Sequence, residues 1–266
     1  MKIMYLGDVM GKPGRDLLAK HLSNIRLKHD IDIVIAQSEN VTHGKGLSLS
    51  HYNELRTHGV DGFSGGNHTF ERTDTMRLVS DRDRAVTAPL NKLGCNFPKY
   101  KIIYSNEGSV LIASIMGTVY PEVNNLDFTN QLDSADYLVG EINNIKPIAS
   151  IINFHGDLSS EKVIMGHYLD GKVTAVIGDH WHIPTADYRI LPGGTAHITD
   201  VGMCGTLDSS LGASFSQVVK RWKTGKKIRL QIEESGPMQI NAVIVDVDSS
   251  KRIAKKITQL RIVIPK

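Results

Sequence analysis

Cysteine is scarce in this 266-residue chain: only Cys95 and Cys204 occur, far apart in sequence. That count excludes a disulfide scaffold and a thiolate metal site, and it suits a reducing compartment, so a cytoplasmic location is expected. Charge of one sign is missing too, since 31 Lys and Arg stand against 28 Asp and Glu, a formal net charge of +3. So weak a bias argues for neither a nucleic-acid platform nor a membrane surface, and no stable partner of either kind is expected. No apolar run reaches the roughly 20 residues that span a bilayer, and the apolar stretch within Met1–Leu6 is too short for a signal peptide. Repeats, low-complexity tracts and linker-like breaks in composition are also lacking, which predicts one domain over residues 1–266.

What remains is the composition of an ordinary folded protein, 41% hydrophobic and 22% charged. Short apolar runs alternate with longer amphipathic stretches, the pattern of an α/β chain whose strands are buried on both faces and linked by helices. The clearest runs are Ile3–Leu6, Ile31–Ala36, Val60–Phe63, Val110–Ile115, Ile148–Phe154 and Val173–Ile177. Between the first two, Gly14–His29 spaces Leu17, Leu18, His21, Leu22, Ile25 and Leu27 for a helix. The last third reads as β-rich, with strands predicted from Lys226 to Ile232, from Ile240 to Val247 and from Leu260 to Ile264.

Five of the apolar runs stop at polar residues able to bind a metal. They are Leu6-Gly7-Asp8, Ala36-Gln37-Ser38-Glu39-Asn40, Gly65-Gly66-Asn67-His68, Phe154-His155-Gly156-Asp157 and Gly178-Asp179-His180-Trp181-His182. Each alone has an ordinary structural reading: Asp8 or Asn40 as a helix cap, His155 as a core histidine, His180 and His182 on a solvated loop. In open α/β sheets, however, ligands gather beyond the carboxyl ends of strands, so the set can converge on one site. Carboxylates, Asn and His without thiolate suit Mn, Fe, Zn or Ni. His180 and His182, two apart, project to one side if the backbone there is extended, each reaching one ion of a pair about 4 Å apart. Such a pair acidifies a water and neutralises phosphoryl oxygens, which points to phosphoester hydrolysis.

These residues resemble the YmdB-like metallophosphoesterases, a branch of the calcineurin-like superfamily. The resemblance is carried by Gly7-Asp8-Val9-Met10-Gly11-Lys12-Pro13-Gly14-Arg15, Glu39-Asn40 with Gly44-Lys45-Gly46-Leu47, Gly66-Asn67-His68-Thr69, and Phe154-His155 with Ser160-Glu161-Lys162. The run Asp187-Tyr-Arg-Ile-Leu-Pro-Gly-Gly-Thr followed by Ile198-Thr-Asp-Val-Gly-Met completes it, in order from about residue 1 to 213. It implies a sandwich of two mixed β-sheets flanked by helices. It also implies two divalent metal ions, iron foremost and manganese able to support activity. One would be held by Asp8, Glu39, Asn40 and His182 and the other by Glu39, Asn67, His155 and His180, with Glu39 bridging. His68 is implied as proton donor to the leaving oxygen, 2′,3′-cyclic nucleotides as substrates and a homo-oligomer as the assembly.

Some positions depart from the family pattern. Met10 stands where much of the superfamily has a histidine, a departure the branch shares, and Asp179, Trp181, Gly156, Asp157 and Glu71 differ from the branch itself. Asp179 and Asp157 either accept hydrogen bonds from the ligand imidazoles or face the phosphate; Trp181 either lines the cavity or packs in the core. Gly44-Lys45-Gly46 and Pro192-Gly193-Gly194-Thr195 read as turns unless they line the pocket. Cys204 reads as a buried small residue, having no local base to make it a nucleophile, and Lys220-Arg221-Trp222-Lys223 with Lys226-Lys227 reads as a solvated helix end. A nucleotide-sensing regulator and a protein phosphatase on the same metal core are the rival functions.

Overall fold

In the computed structural model, which describes residues 1–118 and 127–265, two mixed sheets pack face to face under flanking helices, the sandwich that the resemblance implied. The first sheet is ordered β2 (Asp8–Val9), β11 (Met203–Thr206), β12 (Met238–Asp248), β1 (Lys2–Leu6), β3 (Ile33–Gln37) and β4 (Gly62–Ser64), with β13 (Ile253–Ile264) along β12. The second is ordered β5 (Lys101–Ser105), β6 (Gly108–Met116), β7 (Ala149–His155), β8 (Ala175–Asp179), β10 (Ala196–Ile198) and β9 (Arg189–Ile190). Parallel pairing joins β1 to β3 and β3 to β4 in one sheet, and β6, β7, β8 and β10 in the other.

Period-two alternation sorts the strand side chains into separate apolar seams. Ile3, Tyr5, Ile33 and Ile35 face Ile112, Ile151 and Ile177 between the sheets. Met4, Leu6, Val34 and Ala36 point outward to Leu18 and Leu22 of α1 (Gly11–His29), Leu55 of α2 (Leu49–Thr57) and Leu78 of α3 (Thr73–Ser80). Leu111, Ala113 and Ile152 meet Leu138 of α4 (Gln131–Ile145) and Met165 of α5 (Ser159–Tyr168). Burying each such aliphatic side chain contributes about 1.5–3 kcal/mol, so these seams hold the two sheets and their helices together. No helix among the described residues is long and apolar enough to cross a membrane.

Two expectations need correction. Leu27 is 76% exposed, so the apolar face of α1 ends at Ile25. The stretch from Lys226 to Ile232 forms no strand; only an isolated bridge between Ala213 and Ile232 forms there. Its backbone bonds serve the start of α6 (Phe215–Thr224) instead, with Gln231 N–H on Gln217 Oε1 at 2.7 Å and Ser214 N–H on the Gln231 carbonyl at 2.9 Å. The other two C-terminal runs form β12 and β13, an antiparallel pair with one register shift at Asp246/Val247.

Strand direction sets up the site. Parallel β1, β3 and β4 all end on one side, and the chain leaves β1 through Gly7, where a Cβ would lie 2.1 Å from the Gly202 carbonyl oxygen. That close approach turns Asp8 into β2 with its N–H on the same oxygen at 3.0 Å.

Candidate metal centre

The residues singled out from the sequence meet beyond these strand ends. Asp8 is buried; its Oδ1 accepts the Asn40 amide N–H at 3.0 Å and lies 3.6 Å from His182 Nε2. Its Oδ2 is buried with no hydrogen-bond partner among the described residues. Glu39, just past β3, is equally buried: Oε2 accepts the backbone N–H of His68 at 2.8 Å, and Oε1 lies 3.3 Å from His155 Nε2. Asn67 opens a 3₁₀ turn, Asn67–Glu71, and brings Oδ1 to 2.7 Å from the same His155 nitrogen. Gly66 makes that approach possible, because a Cβ there would stand 2.5 Å from both Glu39 Oε2 and the His155 ring. Asn40 turns its amide nitrogen inward, 3.3 Å from His182 Nε2 and 3.4 Å from Glu39 Oε1.

His180 and His182 do not lie in extended backbone. β8 ends at Asp179, and the next residues turn with positive φ, 107° at His180 and 63° at His182. Neither is glycine, so this turn is strained. The turn nevertheless brings the His180 ring to 4.5 Å from that of His155 and His182 Nε2 beside Asp8.

Each imidazole is held from behind. His155 Nδ1 lies 2.7 Å from Asp179 Oδ1, His182 Nδ1 donates to the Leu211 carbonyl at 2.9 Å, and His180 Nε2 lies 2.8 Å from Asp157 Oδ1. Asp179 and Asp157 thus serve as imidazole partners, the first of the two readings left open above. This is how metal-binding histidines are fixed in tautomer and direction, with the opposite nitrogen left for a cation. Donor atoms of Glu39, His155 and His180 lie within 4.8 Å of one another. Together with the unpartnered Asp8 Oδ2, hard oxygens and imidazoles in this arrangement fit divalent cations.

The electrostatics agree. Burial pushes the Glu39 carboxyl up to about 7 against the pull of His155, and pushes Asp179 well above the usual carboxylate range. Burial acts upward on Asp8 as well, but the His182 imidazole overrides it and holds Asp8 at about 2. On His182 burial acts downward and Asp8 overrides it, to about 9; burial takes His180 down to about 4 and lowers His155. Burial that drives these carboxyls and imidazoles so far apart in pKa is the electrostatics of a functional pocket.

His68 stands at the rim, 30% exposed, with Nδ1 paired to Glu71 Oε1, while Glu71 Oε2 pairs with Lys45. A cavity of about 130 Å³ beside the cluster is bordered by Asn67, His155, His180, Phe128, Met116 and Leu158, among others. Cys204 is fully buried, its thiol 3.5 Å from the Asn241 carbonyl and pushed up to about 12 by burial, so it is no nucleophile. Gly193 and Gly194 turn against Asp170 and Ile253, and Lys220, Arg221, Trp222 and Lys223 are exposed on α6.

Sequence reasoning assigned no role to Lys162 and Asp200, which are fully buried as an ion pair 2.9 Å apart directly under the Asp179–His182 turn. The usable signal was a lysine and an aspartate inside otherwise apolar or ligand-bearing segments. Trp181 neither lines the cavity described nor lies in an apolar core: its ring covers the Lys162 ammonium at 3.9 Å and its indole N–H donates to the Asp157 carbonyl at 2.9 Å.

Comparison with known proteins matches the chain over residues 4–260 to the family described as YmdB-like protein. A 2′,3′-cyclic-nucleotide 2′-phosphodiesterase of Bacillus subtilis is 34% identical, over 98% of this chain and 97% of its own length. A putative phosphatase/phosphodiesterase of Mycoplasma pneumoniae is 35% identical, over 99% of this chain and 93% of its own. Among solved structures, a novel phosphatase of Mycoplasma pneumoniae superposes with a TM-score of 0.90 at 32% identity, covering 100% of this chain and 94% of the other. Sequence and fold agree, and the chain belongs to the YmdB-like family.

Proposed function

We propose that this chain is a metal-dependent phosphodiesterase that opens 2′,3′-cyclic nucleotides to nucleoside monophosphates. The observation that carries the proposal is the convergence of Asp8, Glu39, Asn67, His155, His180 and His182, drawn from five strand ends, on one cluster of oxygen and imidazole donors whose floor, Asp8, Glu39 and His155, is buried. The name of the Bacillus subtilis relative supports the substrate class.

In this reading Asp8, Glu39 and His182 would hold one divalent cation, joined by Asn40 once its amide turns to present Oδ1 in place of the inward Nδ2, and Glu39, Asn67, His155 and His180 would hold the other, with Glu39 shared. Bound there, the cations supply Lewis acidity to the phosphoryl oxygens and an acidified water, iron or manganese being suited to the donor set. The chain's own part is to orient and to move a proton. Asp179, Asp157 and the Leu211 carbonyl fix the imidazoles, and the His68 N–H holds Glu39 Oε2 in place. Glu71 engages His68 Nδ1, which leaves Nε2 to hand a proton to the departing ribose oxygen.

Chromatography of 2′,3′-cyclic AMP incubated with the chain and Mn²⁺ or Fe²⁺ tests this. Accumulation of 3′-AMP is expected. Intact cyclic nucleotide alongside dephosphorylation of a phosphopeptide would replace the proposal with a protein phosphatase.

A further inference from the structure

Lys162, on α5, is fully buried, and its contacts all lead to one short turn. Nζ donates to the Asp179 carbonyl at 2.7 Å and to Asp200 Oδ2 at 2.9 Å, and it lies 3.9 Å from the centroid of the Trp181 ring. Asp200 Oδ2 also accepts the Trp181 backbone N–H at 2.8 Å, while Oδ1 accepts the Gly202 N–H at 2.9 Å. The carbonyl before His180, and the backbone and ring of the residue between His180 and His182, are thereby tied to a single buried ammonium and its counter-ion.

Stability alone does not account for this pair. Desolvating two charges costs nearly as much as their attraction returns, so a buried ion pair is a weak stabiliser. What the pair does supply is shape. His180 and His182 hold φ of 107° and 63°, unfavourable for side-chain-bearing residues, and such backbone persists only where its surroundings over-determine it. Among the hydrogen bonds described, those of Lys162 and Asp200 act on both residues adjoining His180.

We propose that Lys162, acting with Asp200, is a positioning residue: it clamps the strained Asp179–His182 turn so that both imidazoles face the cation pair, while touching neither imidazole itself. The inference rests on the reading of the centre given above. It predicts that cation affinity depends on a lysine that is no ligand.

The test compares the whole chain with Lys162→Met/Asp200→Asn, a double variant that removes both buried charges and so avoids leaving one unpaired. Melting of the metal-free proteins reports folding, and free Mn²⁺ counted by electron paramagnetic resonance during titration reports affinity. A merely structural role would lower the melting temperature and leave the affinity of the folded protein alone. The clamp predicts a folded variant whose Mn²⁺ affinity falls about 10–100-fold, the cost typical of removing a support behind a ligand. Affinity within about twofold of the unaltered chain overturns it. Should the double variant not fold, Lys162→Met alone, in which Asp200 can take up a proton in place of its lost partner, carries the same test: a severalfold loss upholds the clamp and unchanged affinity overturns it. An unaltered chain that takes up no Mn²⁺ would instead refute the reading of the centre, an outcome distinct from equal binding by chain and variant.

Discussion

Asp179 Oδ1 lies 2.7 Å from His155 Nδ1 in a fully buried pair, and Asp179 Oδ2 is in turn held by Tyr5 Oη at 3.1 Å and Asn153 Nδ2 at 2.5 Å. The carboxylate therefore aims His155 Nε2 at Glu39 and Asn67 without entering the cluster itself. Asp179→Asn should weaken Mn²⁺ binding about 10–100-fold, because such supports set ligand basicity and direction. Calorimetric titration of the metal-free protein checks this, and undiminished affinity would remove Asp179 from the account.

In the proposed mechanism His68 acts on the leaving group. His68→Ala should lower kcat by about 10²–10⁴-fold, the range of a lost general acid, with metal content retained. Parallel loss of activity and metal, read by kinetics and elemental analysis of one preparation, would assign the His68 side chain to supporting the cation site instead, since its backbone N–H to Glu39 survives the change. Glu71→Gln keeps the imidazole but weakens its anchor, and should cost less than His68→Ala.

Gly66 tests the packing of the cluster. An added methyl would meet Glu39 Oε2 and the His155 ring at 2.5 Å, both from buried side chains that would have to shift. Gly66→Ala should therefore abolish tight cation binding while circular dichroism stays that of a folded α/β protein. Normal metal content in this variant would contradict the geometry described.

Lys101, buried at the start of β5, gives a pH test independent of the site. Burial takes its ammonium down to about 8, with Nζ donating to the Asp81 carbonyl. A folded value below the unfolded one means that folding is opposed at every pH below about 8 and that the penalty fades as pH rises toward about 10.4. Lys101→Met should raise the melting temperature at neutral pH, by about 2–4 °C per kcal/mol regained. The gain should shrink near pH 10; an equal gain at both pH values would show that charge burial is not its source.

The thiols should separate cleanly. Cys204 is sealed and pushed up to about 12, whereas Cys95 is partly exposed. Iodoacetamide should modify only Cys95 in the native chain and both after unfolding, as mass spectrometry would read out; native labelling of Cys204 would contradict its burial.

Much of this was legible in the sequence, for identifiable reasons. Strands buried on both faces leave continuous apolar runs, and each run that ends at the site stops at a polar residue, so Asp8, Glu39, Asn67 and His155 could be picked out without coordinates. The His180–His182 turn could not. Spacing by two suggested extended backbone, but the local conformation is dictated by Lys162 and Asp200, 18 or more residues away in sequence, and no local pattern encodes such contacts. The stretch from Lys226 to Ile232 failed for the converse reason. It alternates like a strand, yet strand formation needs a partner edge, and its hydrogen bonds are drawn to Ser214 and Gln217.

Elemental analysis of the purified chain beside Glu39→Gln, both reloaded with Mn²⁺ from the metal-free state, bears on the centre most directly. With Glu39 as the shared carboxylate, the unaltered chain should hold about two ions and the variant fewer than one, since a single change disturbs both positions at once. Equal metal in the two proteins, or none in the unaltered chain, would contradict a cation pair assembled on Glu39.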